Sequence, residues 1–478
     1  MNKNIFRENA RRAAALLLII TLLFSLSSCF TINLSNTATK EEITENVAAS
    51  IENNTKQYTY VADYLSYWGM PKFNASKFKW YEAMYKRYYN YEGGLPEVFE
   101  HAVSVAELFL SELYDVTNLK SKDEVTDALL TVYSVTVGDP YSIYRNTEDS
   151  NFETDDMNGV FTGIGIQVEH NVAEDTTIIV AILQNSPAET AGFEIGDHIY
   201  AVDGVTVEEV GYSQAMKNIR GPIGTEVTVT VLRDGNQLDI KAIRDLVVEI
   251  TIEYEVTEDG YGYVRIFSFK DNTAEQFKVA IEMLKRANVK GIIFDLRNNP
   301  GGYVHTVCEM LSYLLPSGLD LMSYNYKDGT GNIEKSETDL IPVLDDNGVQ
   351  KNDADGNPLY DEADSTVDLP MVVICNEYTA SSAEIFTSAL RDHREEGVVT
   401  FTSVGTTTYK KGIMQFSVSY TDGSTATFTV AYYCPPSGVN YHGVGITPDV
   451  VIELTEEGDV QYDAAVSELE KLINANNN

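Results

Sequence analysis

The stretch "MVVICNEYTASSAEIFTSALRD", Met371–Asp392, carries the reading of the whole chain. It opens on five apolar residues in a row, the pattern of a strand buried on both faces. From Ala383 onward the apolar positions recur at helical spacing. The turn between them crowds in Thr379, Ser381 and Ser382. One hydroxyl is enough to cap a helix, and Glu384, three after Ser381, completes a capping box with it. Three hydroxyls are a surplus. A strand feeding a helix through a tight turn is also how a nucleophilic serine is presented at a sheet edge.

Outward from this turn, strand and helix signals alternate over 245–455. "YGYVRIFSF" and "KGIIFDLRNNPGG" read as strands, "TAEQFKVAIEMLKRANV" and "HTVCEMLSYLL" as amphipathic helices. The alternation predicts an α/β fold, a mixed sheet with helices on its faces. An acidic insertion over 324–369 interrupts it, with the turn signals "DDNG" and "DADGNP". Its Asp residues lack EF-hand spacing, so the reading is a solvated hairpin and no metal site.

Residues 158–244 read differently. "GVFTGIGIQVEH", "TTIIVAIL", "DHIYAVDG" and "TEVTVTVLRDG" alternate as strands between Gly and Asp-Gly turns, with short helical pieces at "SPAETAG" and "GYSQAMKNIRG". This β-rich unit resembles a PDZ domain, through "GIGI" (Gly163, Ile164, Gly165, Ile166), "NSPAETAGFEIGDHIYAVDG" from Asn185 and "IRGPIGTEVTVTVLR" from Ile219. The resemblance implies that a peptide C-terminus sits on backbone N–H groups of the Gly163–Ile166 loop while the peptide adds a strand to the sheet edge. The two glycines permit that close approach.

Before this unit, helical spacing and a tyrosine-rich stripe over 76–157 predict a small helical segment. Residues 30–75 read as a polar tether, and 456–478 as a C-terminal tail or helix. The extreme N-terminus has the form of a targeting segment: Lys3, Arg7, Arg11 and Arg12, then "AAALLLIITLLF", then "SLSSC". The apolar run is short for a membrane span and suits a signal h-region. "LSSC" resembles a bacterial lipobox, which implies lipidation at Cys29. A plain signal anchor is the other reading, and either one places the chain outside the cytoplasm with a membrane link at its N-terminus. Cys308, Cys375 and Cys434 remain, an odd number in apolar contexts, and form no disulfide framework. With 34 Lys and Arg against 72 Asp and Glu, the net charge of -38 excludes nucleic acid as a partner.

A serine nucleophile needs a base and an oxyanion site. The six histidines are His101, His170, His198, His305, His393 and His442, none with a convincing motif. A lysine serves instead where desolvation leaves its amine neutral, and Lys411 in "SVGTTTYKKGIMQFSVSY" is the candidate.

"NEYTASSAEIFTSALRD", "VGTTTYKKGIMQ", "DLRNNPGG" and "PPSGVNYHGVGITPDV" together resemble the C-terminal processing peptidases, or tail-specific proteases. The likeness runs from Asp139 to Leu454 with the motifs in the family's order. It implies an exported serine endopeptidase with an embedded PDZ domain and a Ser-Lys centre, without metal or organic cofactor, acting on proteins with free C-termini. In that family the turn reads Ser-Ala-Ser-Ala-Ser-Glu with the nucleophile three before the Glu, which falls on Ser381. The lysine of Thr-Phe-Gly-Lys-Gly falls on Lys411, with Thr408 opening the motif and Lys410 in place of the Gly. A lysine-orienting glutamine falls on Gln415. Gly301 and Gly302 resemble one side of the oxyanion hole, the Ser382 amide the other, and Asp392 matches a supporting acid. Arg220 is a candidate contact through which the PDZ unit gates the cleft. Three departures stand out: Tyr378-Thr379 for Gly-Ser, Ser382-Ala383 for Ala-Ser, and Lys410. The segment between Ser381 and Lys411 is also longer than usual, so a loop within "REEGVVTFTS" is expected to bulge. The competing readings are a catalytically inactive PDZ-bearing lipoprotein that binds C-terminal peptides, and a peptidase whose base is His393 or His442.

Overall fold

A computed structural model describes residues 74–91, 121–136, 139–171, 176–183, 186–326, 328–338, 340–353, 357–362, 367–455 and 458–476. The targeting segment with Cys29, nearly all of the tether and the helical pattern over 92–120 lie outside the described residues. The chain divides into two units: residues 1–151, 325–330 and 413–431, and residues 152–324, 331–412 and 432–478.

In the first unit the helices Ala75–Tyr88 and Lys122–Thr136 bury the tyrosine stripe. Tyr81, Tyr85 and Tyr133 are fully buried, with Tyr81 edge-on to Tyr133 and packed against Phe428. The stripe is a core, as its spacing suggested. The segment is not wholly helical, however. Ile143–Arg145 forms a strand whose Ile143 pairs with Thr427 and Arg145 with Thr425. Cross-strand pairing overrides the local helical reading there.

The second unit begins with a β-rich part. Five antiparallel strands run in the order Ile166–Asn171, Thr176–Ile182, His198–Val202, Glu226–Arg233, Asn236–Ile243. A separate pair joins Val160–Gly163 to Asp245–Val248. The helix Pro187–Ala191 follows from "SPAETAG" directly: the Ser186 side chain accepts the Glu189 N–H, Pro187 opens the first turn, and Gly192 at φ 87 closes it. The helix Tyr212–Ile219 sends Ala215 and Ile219 into a core with Ile164, Ile179 and Val229. Such an arrangement leaves Ile166–Asn171 at the sheet edge.

The rest of the unit is α/β. Its six-stranded sheet runs Ile252–Val256, Gly262–Ile266, Ile292–Asp295, Met371–Cys375, Phe401–Gly405, Val450–Val451. All neighbours are parallel except the first pair. The three central strands are buried throughout, as their apolar runs require. Side chains alternate faces. Ile293, Val372 and Val404 meet Ala465 and Leu469 of the C-terminal helix Val460–Asn476, while Phe294 packs on Phe277 and Phe386 of the helices Thr273–Arg286 and Ser382–Glu395. Each fully buried aliphatic or aromatic side chain adds roughly 1.5–3 kcal/mol, so this sheet is the rigid body on which the site loops stand.

The acidic insertion is hairpin-like, but its first strand, Asp320–Tyr326, begins ahead of the expected boundary at Tyr324, because Leu321 and Met322 are core residues. Its carboxylates serve their own turns: Asp345 accepts the N–H groups of Asn347 and Val349. The expected bulge is short. The helix runs to Glu395 and the next strand starts at Phe401, so "FTS" is strand and only residues 396–400 form the loop.

Candidate active site

Three adjacent parallel strands end side by side, and each releases one motif. Ile292–Asp295 leads into "LRNNPGG", Met371–Cys375 into "NEYTASS", Phe401–Gly405 into "TTTYKKG". Ligand sites of open α/β sheets form at this carboxyl edge.

Asparagines zip the first two loops together. Asn298 N–H donates to Asn376 Oδ1 at 3.0 Å, Asn376 Nδ2 to Asn298 Oδ1 at 2.8 Å, and Ala380 N–H to the Asn299 carbonyl at 2.9 Å. Asn299 Nδ2 reaches on to the Ile266 carbonyl at 2.7 Å. Sequence reasoning missed these residues; asparagines directly after two apolar strands were the available signal.

The three hydroxyls of the turn separate by role. Thr379 is buried, accepts the Asn376 N–H and donates to the Leu296 carbonyl. Ser382 is buried and donates to the Gly302 carbonyl at 2.8 Å. Ser381 stands half-buried at the junction with φ 54 and ψ -118, a conformation that L-residues avoid. Strained backbone of this kind is typical of a serine displayed at a strand–helix elbow.

Opposite lies the NPGG turn. Gly301 has φ 97, and a β-carbon there would sit 2.7 Å from Ser381 Cβ and 2.9 Å from the Ser382 nitrogen, so only glycine fits. The Gly301 N–H is not open to a ligand, because it donates to Asn299 Oδ1 at 2.8 Å. That corrects the expectation that both glycine amides face the site. Phe269 pairs with Gly302, taking its bonds from the Gly301 carbonyl and the Tyr303 N–H. In a parallel bridge this leaves the Gly302 amide pointing away from Phe269, to the side where its carbonyl meets Ser382. The amides of Gly302 and Ser382, the latter at the first helical position, are the donors the geometry offers to an oxyanion.

Glu384 joins the nucleophile turn to the lysine loop. Its side chain is fully buried and accepts four hydrogen bonds: Thr408 Oγ1 at 2.6 Å and Lys410 N–H at 2.9 Å on Oε1, Ser381 N–H and Lys411 N–H, both at 2.9 Å, on Oε2. The backbones of Ser381 and Lys411 therefore lie within two hydrogen-bond lengths of each other. Burial pushes the Glu384 carboxyl above its usual range, and its four donors pull it back only in part. Thr408 also accepts the Ile446 N–H at 2.8 Å. Beyond the lysine, the Tyr433 hydroxyl donates to the Lys411 carbonyl and Asn440 Nδ2 to that of Gly412. Lys411 is half-buried, and its peptide is pinned from both sides.

Other expected residues lie elsewhere. Asp392 sits eleven positions along the helix from Ser381 and accepts the Ser437 N–H. His393, about 18 Å along the helix axis from Ser381 at 1.5 Å per residue, contacts the Asp320 carbonyl and Glu396. Its position rules it out as a base for Ser381. His442 packs its backbone against Gly412 and its ring edge-on to Tyr432. Gln415 belongs to the first unit, with Nε2 buried and unpaired among the described residues. Gly163, Ile164 and Gly165 lead into the edge strand of the β-rich part, which Ile166 opens; Gly165 has φ 81, and a β-carbon on it would meet Ser186 Cβ at 2.4 Å. The N–H groups of Ile164 and Gly165 donate to no acceptor among the described residues.

The sequence model of peptidase family S41 matches residues 260–452, and that of the PDZ domain residues 162–243. The carboxy-terminal processing protease CtpA of Bacillus subtilis is 31% identical over 365 residues, covering 76% of this chain and 71% of that protein. The chain belongs to peptidase family S41. A carboxy-terminal-processing protease of Bartonella bacilliformis is 31% identical over 323 residues, covering 66% of this chain and 67% of its own. A solved photosystem II D1 C-terminal processing protease is 23% identical, covers 79% of this chain and 92% of its own, and has a TM-score of 0.44. The S41 chain is thus a CtpA-like serine protease with a PDZ domain, and its substrates are peptides with C-termini.

Proposed function

We propose that this protease cleaves exported proteins near their C-termini with Ser381 as nucleophile and Lys411 as general base. The observation that carries the assignment is Glu384, one buried carboxylate that binds the backbones of both residues. A neutral Lys411 amine takes the Ser381 proton as the hydroxyl attacks the peptide carbonyl. The oxyanion forms against the Gly302 and Ser382 amides. Lys411 returns the proton to the leaving amine, and water resolves the acyl-enzyme.

The PDZ domain supplies the address. Its strand Ile166–Asn171 stands at the sheet edge, and the unsatisfied amides of Ile164 and Gly165 suit a terminal carboxylate, so a substrate tail adds there as a further strand. Arg220 fits a gating role: its guanidinium lies 3.9 Å from the Phe152 ring centroid and 4.3 Å from that of Phe161, and meets Asp156. The N-terminal segment is read as an export signal with Cys29 as lipid attachment point, which mass spectrometry of the mature N-terminus tests.

The decisive experiment is cleavage of an unstructured protein with an apolar C-terminus by the full chain and by Ser381→Ala and Lys411→Ala, with fluorophosphonate labelling of the serine. Each variant loses activity by at least about a thousandfold, and the label maps to Ser381. Undiminished cleavage by either variant overturns the Ser-Lys assignment. No cleavage even by the unmodified chain leaves a C-terminus-binding module.

A further inference from the structure

Among the described residues, six non-glycine residues have positive φ: Asp203, Asp234, Asn288, Asn298, Ser381 and Lys410. Asp and Asn tolerate this region, because their short polar side chains bond locally to the backbone. Removing them leaves Ser381 at φ 54 and Lys410 at φ 84. Both donate their N–H to Glu384. The strain at Ser381 has a purpose, since it displays the reacting hydroxyl. Lys410 has no such explanation, and glycine would adopt the same backbone without cost in contacts.

The strain at Lys410 is fixed on both sides of its α-carbon. Its N–H is held by Glu384 Oε1 at 2.9 Å, and its carbonyl accepts the Gly443 N–H at 3.0 Å. The side chain leaves the loop over the turn at Gly445, where an added β-carbon would lie 3.0 Å from Lys410 Cγ. The residue is exposed, and its ammonium has no carboxylate or hydrogen-bond partner among the described residues. In a chain with 72 acidic residues and a net charge of -38, an exposed cation without an acidic partner is a local point of attraction for an acidic substrate segment.

We propose that Lys410 is a specificity-determining residue of the protease, its ammonium accepting the carboxylate of an Asp or Glu side chain of the substrate next to the scissile bond. The lysine is adjacent in sequence to the base, and its N–H shares the Glu384 carboxylate with the N–H of the nucleophile, which sets its backbone beside Ser381. Fixing the backbone by two hydrogen bonds keeps the charge in place, and the exposed position lets the carboxylate reach it without burying either partner. This reading rests on the Ser381–Lys411 assignment.

The test uses the full chain and unstructured substrates that share one apolar C-terminal tail. They differ only in carrying Asp, Asn or Lys beside the scissile bond, so the distant terminal carboxylate is constant. The unmodified protease is expected to favour Asp over Asn by about two- to fivefold in kcat/KM, through KM, the worth of one exposed ion pair. Lys is expected to be poorest. Lys410→Arg keeps the order, whereas Lys410→Gly, which suits the backbone and keeps the fold as checked by thermal unfolding, brings the Asp-to-Asn ratio close to one. An unmodified protease without acid preference overturns the proposal. So does a preference that survives in Lys410→Gly, or a change in kcat equal for all three substrates, which would mean that the ammonium acts on Lys411 alone. If Ser381→Ala still cleaves, the underlying Ser-Lys assignment has failed instead, and that variant separates the two cases.

Discussion

Replacing Glu384 by Gln tests whether one carboxylate holds the two halves of the proposed centre together. The carboxylate takes four donors, two on each oxygen, from a fully buried position. An amide offers one oxygen and one NH2 group. In the less costly orientation the NH2 faces Thr408, whose hydroxyl can turn to accept, but the Lys410 N–H beside it is then orphaned. An orphaned buried N–H costs about 1–3 kcal/mol, and the bonds that remain drop from charge-assisted to neutral, about 1 kcal/mol each. Against this stands relief from burying a charge. The balance is about 2 kcal/mol against the lysine loop, or roughly a 30-fold faster hydrogen exchange by local opening. Exchange in peptides spanning 376–392 and 404–416 reads this directly, and kcat is expected to fall 10- to 100-fold (about 1.4–2.8 kcal/mol) with little change in KM. The pH dependence has a definite sign. Because burial raises the Glu384 carboxyl above its usual 4.5, its contribution to stability is full below pH 4.5 and is lost as pH rises through the higher folded value. The Gln variant lacks that slope. Wild-type exchange and kcat in Glu384→Gln would refute the account, since one carboxylate holds the N–H groups of both Ser381 and Lys411.

Two further perturbations address the other parts of the second unit. Gly165→Ala drives a β-carbon to 2.4 Å from Ser186 Cβ at φ 81; it should lower PDZ stability by about 2 kcal/mol or more and abolish the preference for apolar tails while turnover of a tail-less peptide persists, measured as the ratio of the two rates. Asp459→Asn breaks the bond from Arg297 that holds the Asp459 carboxyl below its usual range, at 2.7 Å and 2.8 Å, and so loosens the start of the helix Val460–Asn476. With Asp459 partly exposed the loss is only about 0.5–1 kcal/mol at pH 7. A depressed carboxylate stabilises above its unfolded value near 3.8 and loses that contribution as pH falls through the lower folded value, so wild type and variant should converge on the acid side of that window in thermal unfolding. A constant difference across pH would mean that the ion pair is not its source.

How much was legible from the residues follows from where the information sits. The α/β sheet and the β-rich domain were readable because burial imposes a pattern on sequence: "MVVIC" and the "IIF" of Ile292–Asp295 are unbroken apolar runs, since both faces of their strands are covered. The short strand Ile143–Arg145 was not readable, because its partner lies some 280 residues on, at Thr425–Thr427, and local pattern carries no record of distant pairing. The same division holds inside the site. The turn announced its hydroxyls but not their roles, which depend on what approaches from other loops. Ser382 is consumed by the Gly302 carbonyl and Thr379 by that of Leu296. Likewise Gly301 and Gly302 look equivalent in "NPGG" until Asn299 occupies one amide and leaves the other. The choice of Ser381 over its neighbour therefore rests on backbone strain. A residue held at φ 54 by Glu384 and pressed against a glycine that admits no side chain cannot relax into the helix, and that is the strain the proposed nucleophile needs in order to stay displayed.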